Sequence, residues 1–428
     1  MGSPPVSARR SGDGTHAPRS GPLSVLLLSI AWAGISACSS SFAFREACPP
    51  EEGYHVIRGV TVDRGSRPDS CGPVALAAVL RFYKDPVTVS QLEAAVLRVD
   101  ANGMDTRDFL AVASRRGFVG RHMRGSIGRI KEAVDAGTPP IIALPGNPGH
   151  ALVVVGYNDR TQEIVFAEAG GYRIVSYDDL APSWGAAGYF FFLVTPGSAA
   201  ELFALGEGAL RRAAWVEAEA FYRMASDREP GYAPAYAGLG DLFRFRERLE
   251  ASEAAYREAL RLDPSLVRAL NNLADLLVAR GGTAVVEAET LAERAVAFAE
   301  AEWRRLWKDY EETAIPGIQA DLRRRLNEAM RDHLSALGTL GQARMARGDA
   351  AGARETWRTA LRLAPEPMRE YRALRLVEVA SSLGAGAREE ALRDLATASS
   401  LTQDPALRRR IEALQRSLGV PSGSPDRP

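Results

Sequence analysis

The stretch "HALVVVGYNDRTQEIVFAE", His150 to Glu168, decides how the first half of the chain folds. Two runs rich in β-branched and aromatic residues, ALVVVGY (151–157) and QEIVFA (162–167), flank the turn residues Asn158, Asp159 and Arg160. Apolar runs of this length, joined by so short a polar segment, form a β-hairpin. A hairpin centred near Asp159 sets position 150 opposite position 168. Residues directly opposed across a strand pair share a face and bring their Cβ atoms close. His150 and Glu168 would then stand side by side, while a slip of one residue would put Ala169 opposite His150. A carboxylate beside a histidine fixes its tautomer and stabilises the imidazolium. The plainer alternatives are a hydrogen-bonded structural histidine and a solvated strand-end charge.

The hairpin sits among further short strand-like runs. PPIIAL, YRIVSY and GYFFFLVT are β-branched or aromatic segments set apart by Gly, Pro, Asn and Asp. Helical patterns precede them. Leu76, Val79, Leu80 and Tyr83 fall at i, i+3, i+4 and i+7. VSQLEAAVLRV and DTRDFLAVASRRG open on Ser or on Asp/Thr as candidate caps, and SIGRIKEAVDAG closes at Gly137. Helices followed by strands indicate an α+β domain with an antiparallel sheet over residues 56–196.

The first of these helices begins in "PDSCGPVALAAVLRFY", Pro68 to Tyr83. Asp69 or Ser70 is placed to cap it, and Pro73 suits the first turn. Cys71 is therefore expected at the helix N-terminus, where backbone N–H groups and the helix dipole favour a thiolate. A small buried packing residue is the competing reading, because cysteine is among the most buried residue types. Of the five histidines, His16 lies in the leader and His333 in the helical half. His55 precedes the domain core, and His122 is flanked by Arg121. His150 is the best placed to serve as a base.

From residue 198 to 428 the strand signals vanish and a repeat takes over. AEAFYRMASDREP (218–230) aligns with SEAAYREALRLDP (252–264) at a shift of 34, and ARETWRTALRLAP (353–365) repeats the pattern. Small residue, aromatic, alanine and proline recur as Ala218, Tyr222, Ala225, Pro230; Ser252, Tyr256, Ala259, Pro264; and Ala353, Trp357, Ala360, Pro365. Gly206, Gly240 and Gly341 each lie twelve residues before the small residue. Small residues let paired helices approach, the aromatic fills the gap and proline ends the second helix. A degenerate unit runs from about Leu270 to Ala299, and the segment 301–330 breaks the period with a stripe of Trp303, Leu306, Trp307 and Tyr310, expected to be core.

The bulk properties narrow the function classes. Of 428 residues, 46% are hydrophobic and 25% charged, with 53 basic and 53 acidic side chains. A packed core is affordable, and a net charge of zero offers no electrostatic footprint for nucleic acid. The three cysteines, Cys38, Cys48 and Cys71, make neither a disulfide framework nor a C-x-x-C site, so no metal and no cofactor is expected. Residues 1–38 carry Arg9, Arg10 and Arg19, then the apolar PLSVLLLSIAWAGISAC. This is a secretory address, too short for a confident membrane span. Its ending, ISAC, is similar to a bacterial lipobox, with Cys38 as the lipidated residue; an ordinary signal peptide is the alternative. Residues 39–55 read as a linker, and Cys48 there as a surface cysteine.

Taken together, DSCGPVALAAVL, GHALVVVGYND, IVFAEAGG and YDDLAPSWGAAGYFFFL resemble the bacteriocin-processing, double-glycine leader peptidases, which are papain-like cysteine peptidases. The second half resembles the tetratricopeptide repeat. The first resemblance implies that Cys71 is a nucleophile and His150 its base, acting on a peptide or protein substrate. It puts the third catalytic position on Glu168, where aspartate is usual, with Ala169 in place of proline. It also implies an oxyanion-stabilising glutamine five or six residues before the cysteine, where this chain has Gly65 and Ser66. The alternative is an impaired, peptide-binding relative. No G-x-x-x-x-G-K-[ST] stretch or polytopic pattern accompanies the domain, so double-glycine leader cleavage is not implied. The repeats imply a groove for a protein partner. The lipobox implies an exported protein held on a membrane by its lipid anchor alone, on the periplasmic side of the outer membrane if the host is Gram-negative.

Overall fold

Strand pairing in the first half is antiparallel throughout, as the hairpin reading requires. The computed structural model describes residues 45–47, 53–67, 69–96, 106–145, 150–365, 368–383 and 387–419. Cys38 and Cys48, the leader and most of the linker lie outside them. The strands are β1 (Arg45–Ala47), β2 (His55–Val56), β3 (Phe118–Arg124), β4 (Ile141–Leu144), β5 (His150–Asn158), β6 (Glu163–Glu168), β7 (Gly171–Ser176) and β8 (Phe190–Pro196). They form one sheet in the order β1-β7-β6-β5-β4-β8-β3, and β2 pairs with β5 beside that path. Residues 152–158 of β5 are all buried, so protein covers both faces of this strand.

Among the described residues, five helices accompany the sheet: α1 (Cys71–Phe82), α2 (Val89–Val96), α3 (Thr106–Arg115), α4 (Ile127–Asp135) and α5 (Tyr177–Ala186). Helix α1 packs along β5, with α2 and α3 against it. The expected single apolar face is too narrow a description of α1. Ala75, Ala77 and Ala78 are as buried as Leu76, Val79 and Leu80, which makes α1 a core helix covered on nearly all sides. Four elements escape the sequence patterns. β1 lies in the segment expected to be a linker, yet it pairs with β7. β3 is charged and polar along one edge, and β2 is only two residues long. Helix α5 contains Pro182, yet its N-terminus is well made, with the Ser176 Oγ accepting from the Asp179 N–H.

The hairpin register differs from the sequence expectation. Val153 faces Ala167, where a turn centred at Asp159 would set it against Val165. Two local causes account for the shift. The turn spans residues 159–162, held by the Asn158 Oδ1 accepting from the N–H groups of Arg160 and Thr161 and by Gln162 at φ 55°. A bulge at Val155 then inserts an extra residue into β5.

Beyond Pro196 the chain passes without a long linker into helices. A capping box of Ser198 and Glu201 starts α6 (Ala199–Arg211). There follow α7 (Trp215–Arg228), α8 (Ala233–Phe245), α9 (Leu249–Leu262), α10 (Val267–Arg280), α11 (Ala284–Glu312), α12 (Pro316–Ala346), α13 (Ala350–Leu363), α14 (Arg369–Ser381), α15 (Arg388–Leu401) and α16 (Pro405–Ser417). The recurring glycines have a steric purpose. A Cβ on Gly206 or Gly240 would lie 2.5 or 2.4 Å from the ring of Tyr222 or Tyr256, and on Gly341 it would overlap the Trp357 indole. Each aromatic thus lies flat on a glycine of the neighbouring helix. The segment that breaks the period is the join of the two longest helices, α11 and α12. Leu306 is buried there with Trp303 and Tyr310 packed on its cluster, while Trp307 is 43% exposed. No helix of the described residues is long and apolar enough to cross a membrane.

Candidate active site

Cys71 is the first residue of α1, as its sequence context predicts, and is half-buried. Three backbone N–H groups act on its ionisation: those of Ala151, of Gly72 and of Cys71 itself. The effect of Ala151 marks where α1 meets the sheet. Ala151 follows His150, so the N-terminus of α1 and the first residue of β5 occupy one place in the fold. All three donors favour the thiolate. Burial acts more strongly in the other direction and, with the negative charge of Asp69 adding to it, pushes the thiol pKa up.

His150 opens β5 at the exposed end of an otherwise buried strand. Burial of the imidazole holds its pKa below the ordinary histidine value; the Glu168 carboxylate raises it and the Arg173 guanidinium lowers it. Both charges therefore act on the ring. Carried one rung past the last recorded pair, the β5–β6 register sets Glu168 against Leu152, one diagonal step from His150 on the same face. Side chains on such a diagonal remain within reach of each other when they are long. The longer glutamate is thus suited to a register in which the position directly opposite His150 has moved away. The side-chain partner of the carboxylate is Arg173, and Glu168 acts on His150 through its charge. Its Oε1 lies 2.6 Å from the Nε of Arg173, on β7.

Arg173 is a member of this cluster that sequence reasoning missed. The signal was present: a cation inside the apolar strand YRIVSY, two residues beyond the point where β7 pairs with Glu168. Glu93 is a second. On α2 the buried residues are Val89, Leu92, Glu93 and Val96, so a carboxylate occupies the i+4 position of an apolar face. It accepts from the Ser66 N–H at 3.0 Å, from the Ser66 Oγ at 2.6 Å and from the Ser70 Oγ. Those hydrogen bonds hold its carboxyl below the usual range.

Two expectations about the approach to Cys71 are corrected. Ser70 occupies the N-cap position of α1, but its backbone is already helical (φ −79°, ψ 0°), its side chain makes no capping bond, and its hydroxyl donates to Glu93. Helix α2 is opened by Thr88, whose Oγ1 accepts from the Gln91 N–H, and not by Ser90. Gly65 has no room for a side chain. A Cβ there would stand 2.4 Å from the Ser70 Cβ and 3.2 Å from a Val74 methyl. Ser66 turns both its N–H and its hydroxyl to Glu93. Neither position where the resemblance places a glutamine could present one to Cys71 without moving this loop. Among the described residues no group of three or more His, Cys, Asp or Glu side chains is arranged to hold a metal ion.

Residues 60–189 match the Peptidase_C39 like family, and residues 233–266 match the tetratricopeptide repeat. Several solved structures are similar to parts of the chain. Pseudomonas aeruginosa PilF is 21% identical with a TM-score of 0.36, over 51% of this chain and 82% of that one. YrrB, a TPR protein described as having an unusual peptide-binding site, is 18% identical with a TM-score of 0.34, over 50% and 91%. The peptidase domain of Streptococcus ComA is 16% identical with a TM-score of 0.29, over 32% and 100%. No curated protein matches the chain.

Proposed function

We propose that this protein, in which a Peptidase_C39 like domain is joined to tetratricopeptide repeats, is a cysteine peptidase acting on a peptide or protein substrate that the repeats help to capture. The observation that carries the reading is the meeting of Cys71, at the start of a buried helix, with the first residues of β5, where His150 stands under the influence of Glu168. In the proposed mechanism His150, neutral at rest, takes the Cys71 proton as the sulfur attacks the scissile carbonyl. Glu168 stabilises the imidazolium that results. The imidazolium then protonates the departing amine, leaving a thioester on Cys71 that water hydrolyses. The backbone N–H groups of Cys71 and Gly72 would receive the developing oxyanion.

Burial raises the Cys71 pKa and lowers that of His150, and both effects work against a resting ion pair. The proton therefore moves during attack, under general-base catalysis. The same observation, with the closed space at Gly65, favours a second reading: a peptidase-like domain that binds a peptide without cutting it. Incubation of wild-type and Cys71→Ala protein with a mixed peptide library, read by mass spectrometry, separates the two. Cleavage by the wild type alone supports the enzyme. Retention of intact peptides by both proteins overturns it in favour of binding.

The same proposal includes the N-terminus. Cys38 would carry the lipid that holds the exported protein on a membrane, at the periplasmic face of the outer membrane in a Gram-negative host. The repeat groove would face a protein partner in the aqueous phase.

A further inference from the structure

We propose that the cavity between α10, α12 and α14 receives the carboxamide of an asparagine or glutamine side chain on the peptide that the repeats capture. The inference rests on the reading of the repeats as a capture surface, and adds to it a place and a side-chain class. Each of the three is the first helix of a packed pair, α10 with α11, α12 with α13 and α14 with α15. Together they enclose about 360 Å³, within the range of ligand sites. One wall is apolar, made by Leu334, Met368 and Tyr371. The rest is polar, with groups from all three helices.

The repeat itself explains why polar groups are left over at this point. Glu207, Asp241 and Asp275 recur at intervals of 34 residues. Each is satisfied within the array: Glu207 and Asp241 share the Arg268 guanidinium, and Asp275 pairs with Arg244. In the next repeat Gln342 takes the place of the acid, following Gly341 as Asp241 follows Gly240. Its Nε2 donates to the Glu378 Oε1 at 3.3 Å. The series of acid and arginine pairs therefore stops at the cavity, which Gln342 lines.

Two buried groups in the lining lack a hydrogen-bonding partner. Arg375 is 4% exposed, and neither its Nε nor its Nη1 makes a hydrogen bond. Its Nη1 stands 2.8 Å from a Glu378 oxygen, so the charges offset each other, but out of hydrogen-bonding geometry. The second group is the Asn271 Oδ1, which accepts nothing. A neighbour sets the orientation of that amide. The Asn272 Nδ2 donates to Asp241 at 2.7 Å, which leaves the Asn272 Oδ1 to accept from the Asn271 Nδ2 at 3.2 Å. A flipped Asn271 would set two acceptors face to face. Buried polar groups without partners are costly, and a ligand that meets them gains accordingly. A carboxamide meets both, its oxygen accepting from Arg375 and its NH₂ donating to the Asn271 Oδ1. A carboxylate has no proton for Asn271, and Glu378 already answers the charge of Arg375. Of the other charges in the lining, Asp275 is held by Arg244, and Arg331 is exposed with its Nε donating to the Asn327 carbonyl.

The test uses the full chain carrying Cys71→Ala, immobilised and exposed to a randomised peptide library, with the bound peptides sequenced by mass spectrometry. Peptides bearing Asn or Gln should outnumber their Asp or Glu counterparts by about tenfold, the order of one hydrogen bond to a charged group. Asn271→Leu should bring that ratio within about twofold of unity, a small fraction of such a bond. Asn271→Asp, which keeps an acceptor, should retain the preference. Arg375→Met is made together with Glu378→Leu, so that no buried charge is left alone, and this double variant should lose the preference as Asn271→Leu does. Enrichment of Asp or Glu, no preference (as water alone in the cavity would give), or a preference that survives Asn271→Leu would each overturn the proposal. Binding is read here without cleavage. A chain that binds with this preference, while the wild type cuts nothing, would refute the peptidase and leave the cavity standing. A wild type that cuts peptides, with no such preference in binding, would refute the cavity alone.

Discussion

At the scale of single residues, the site is a balance between burial and a few directed groups. His150 carries the most informative charges. Glu168 favours its protonated form and Arg173 opposes it. Glu168→Gln should therefore lower the His150 pKa, and Arg173→Met should raise it. NMR titration of the His150 ring reads both, and shifts of the same sign would show that the two side chains act through packing alone. Because the wild-type ring already sits below the ordinary histidine value, its basic form persists to lower pH. The acid limb of the proposed activity should fall below about 6.5, the usual imidazole value, and move further down in Glu168→Gln. The residues at this scale were unevenly visible in the sequence. Cys71 and His150 stand in distinctive company, DSCGP and GHALVVVGYND. Glu93 and Arg173 become recognisable only when a charge on an apolar face is treated as a signal, because each acts across a tertiary contact that no local pattern encodes.

Among secondary-structure elements, the hairpin and the repeats show what periodicity can and cannot deliver. Alternation and turn residues identify β5 and β6, but the register depends on a bulge at Val155 and on the span of the turn, neither of which alters the apolar pattern. The consequence is chemical: Glu168 acts on His150 as a charge from a diagonal position, with its carboxylate paired to Arg173. Edge strand β3 and the proline-containing α5 went unread, since polar strands and helices with an internal proline contradict the simple propensities that tertiary packing overrides. The repeats were the most legible part of the chain. Their spacing predicts an aromatic seated on a glycine, and the structure places Tyr256, fully buried, on Gly240. Gly240→Ala should accordingly cost about 1–3 kcal/mol through overpacking. Gly231→Ala, where an added Cβ meets nothing within 4 Å, should fall within about 0.5 kcal/mol of wild type. Thermal or denaturant unfolding of the pair checks this, and equal destabilisation would contradict the packing argument.

For the molecule as a whole, sheet and repeats are continuous. The Gly197 N–H, next after β8, donates to the Gly117 carbonyl, and Arg121 on β3 pairs with Glu201 on α6. The proposed peptidase site is thus borne on the same body as the first repeats, and both are proposed to hang from one lipid at Cys38. Cys38→Ala should abolish lipid labelling and release the protein from membranes while leaving Cys71 chemistry intact, which fractionation and alkylation together would read. Retention on membranes without the label would refute the anchor. The central claim, that Cys71 and His150 form a working pair, is tested most directly by the second-order rate of Cys71 acylation by an electrophilic peptide. Wild type should react faster than an ordinary thiol of the same ionisation, and His150→Ala should be slower than wild type by about 10²–10⁴, the usual range for a general base. A wild-type rate no greater than that of a simple thiol, unchanged in His150→Ala, would contradict it.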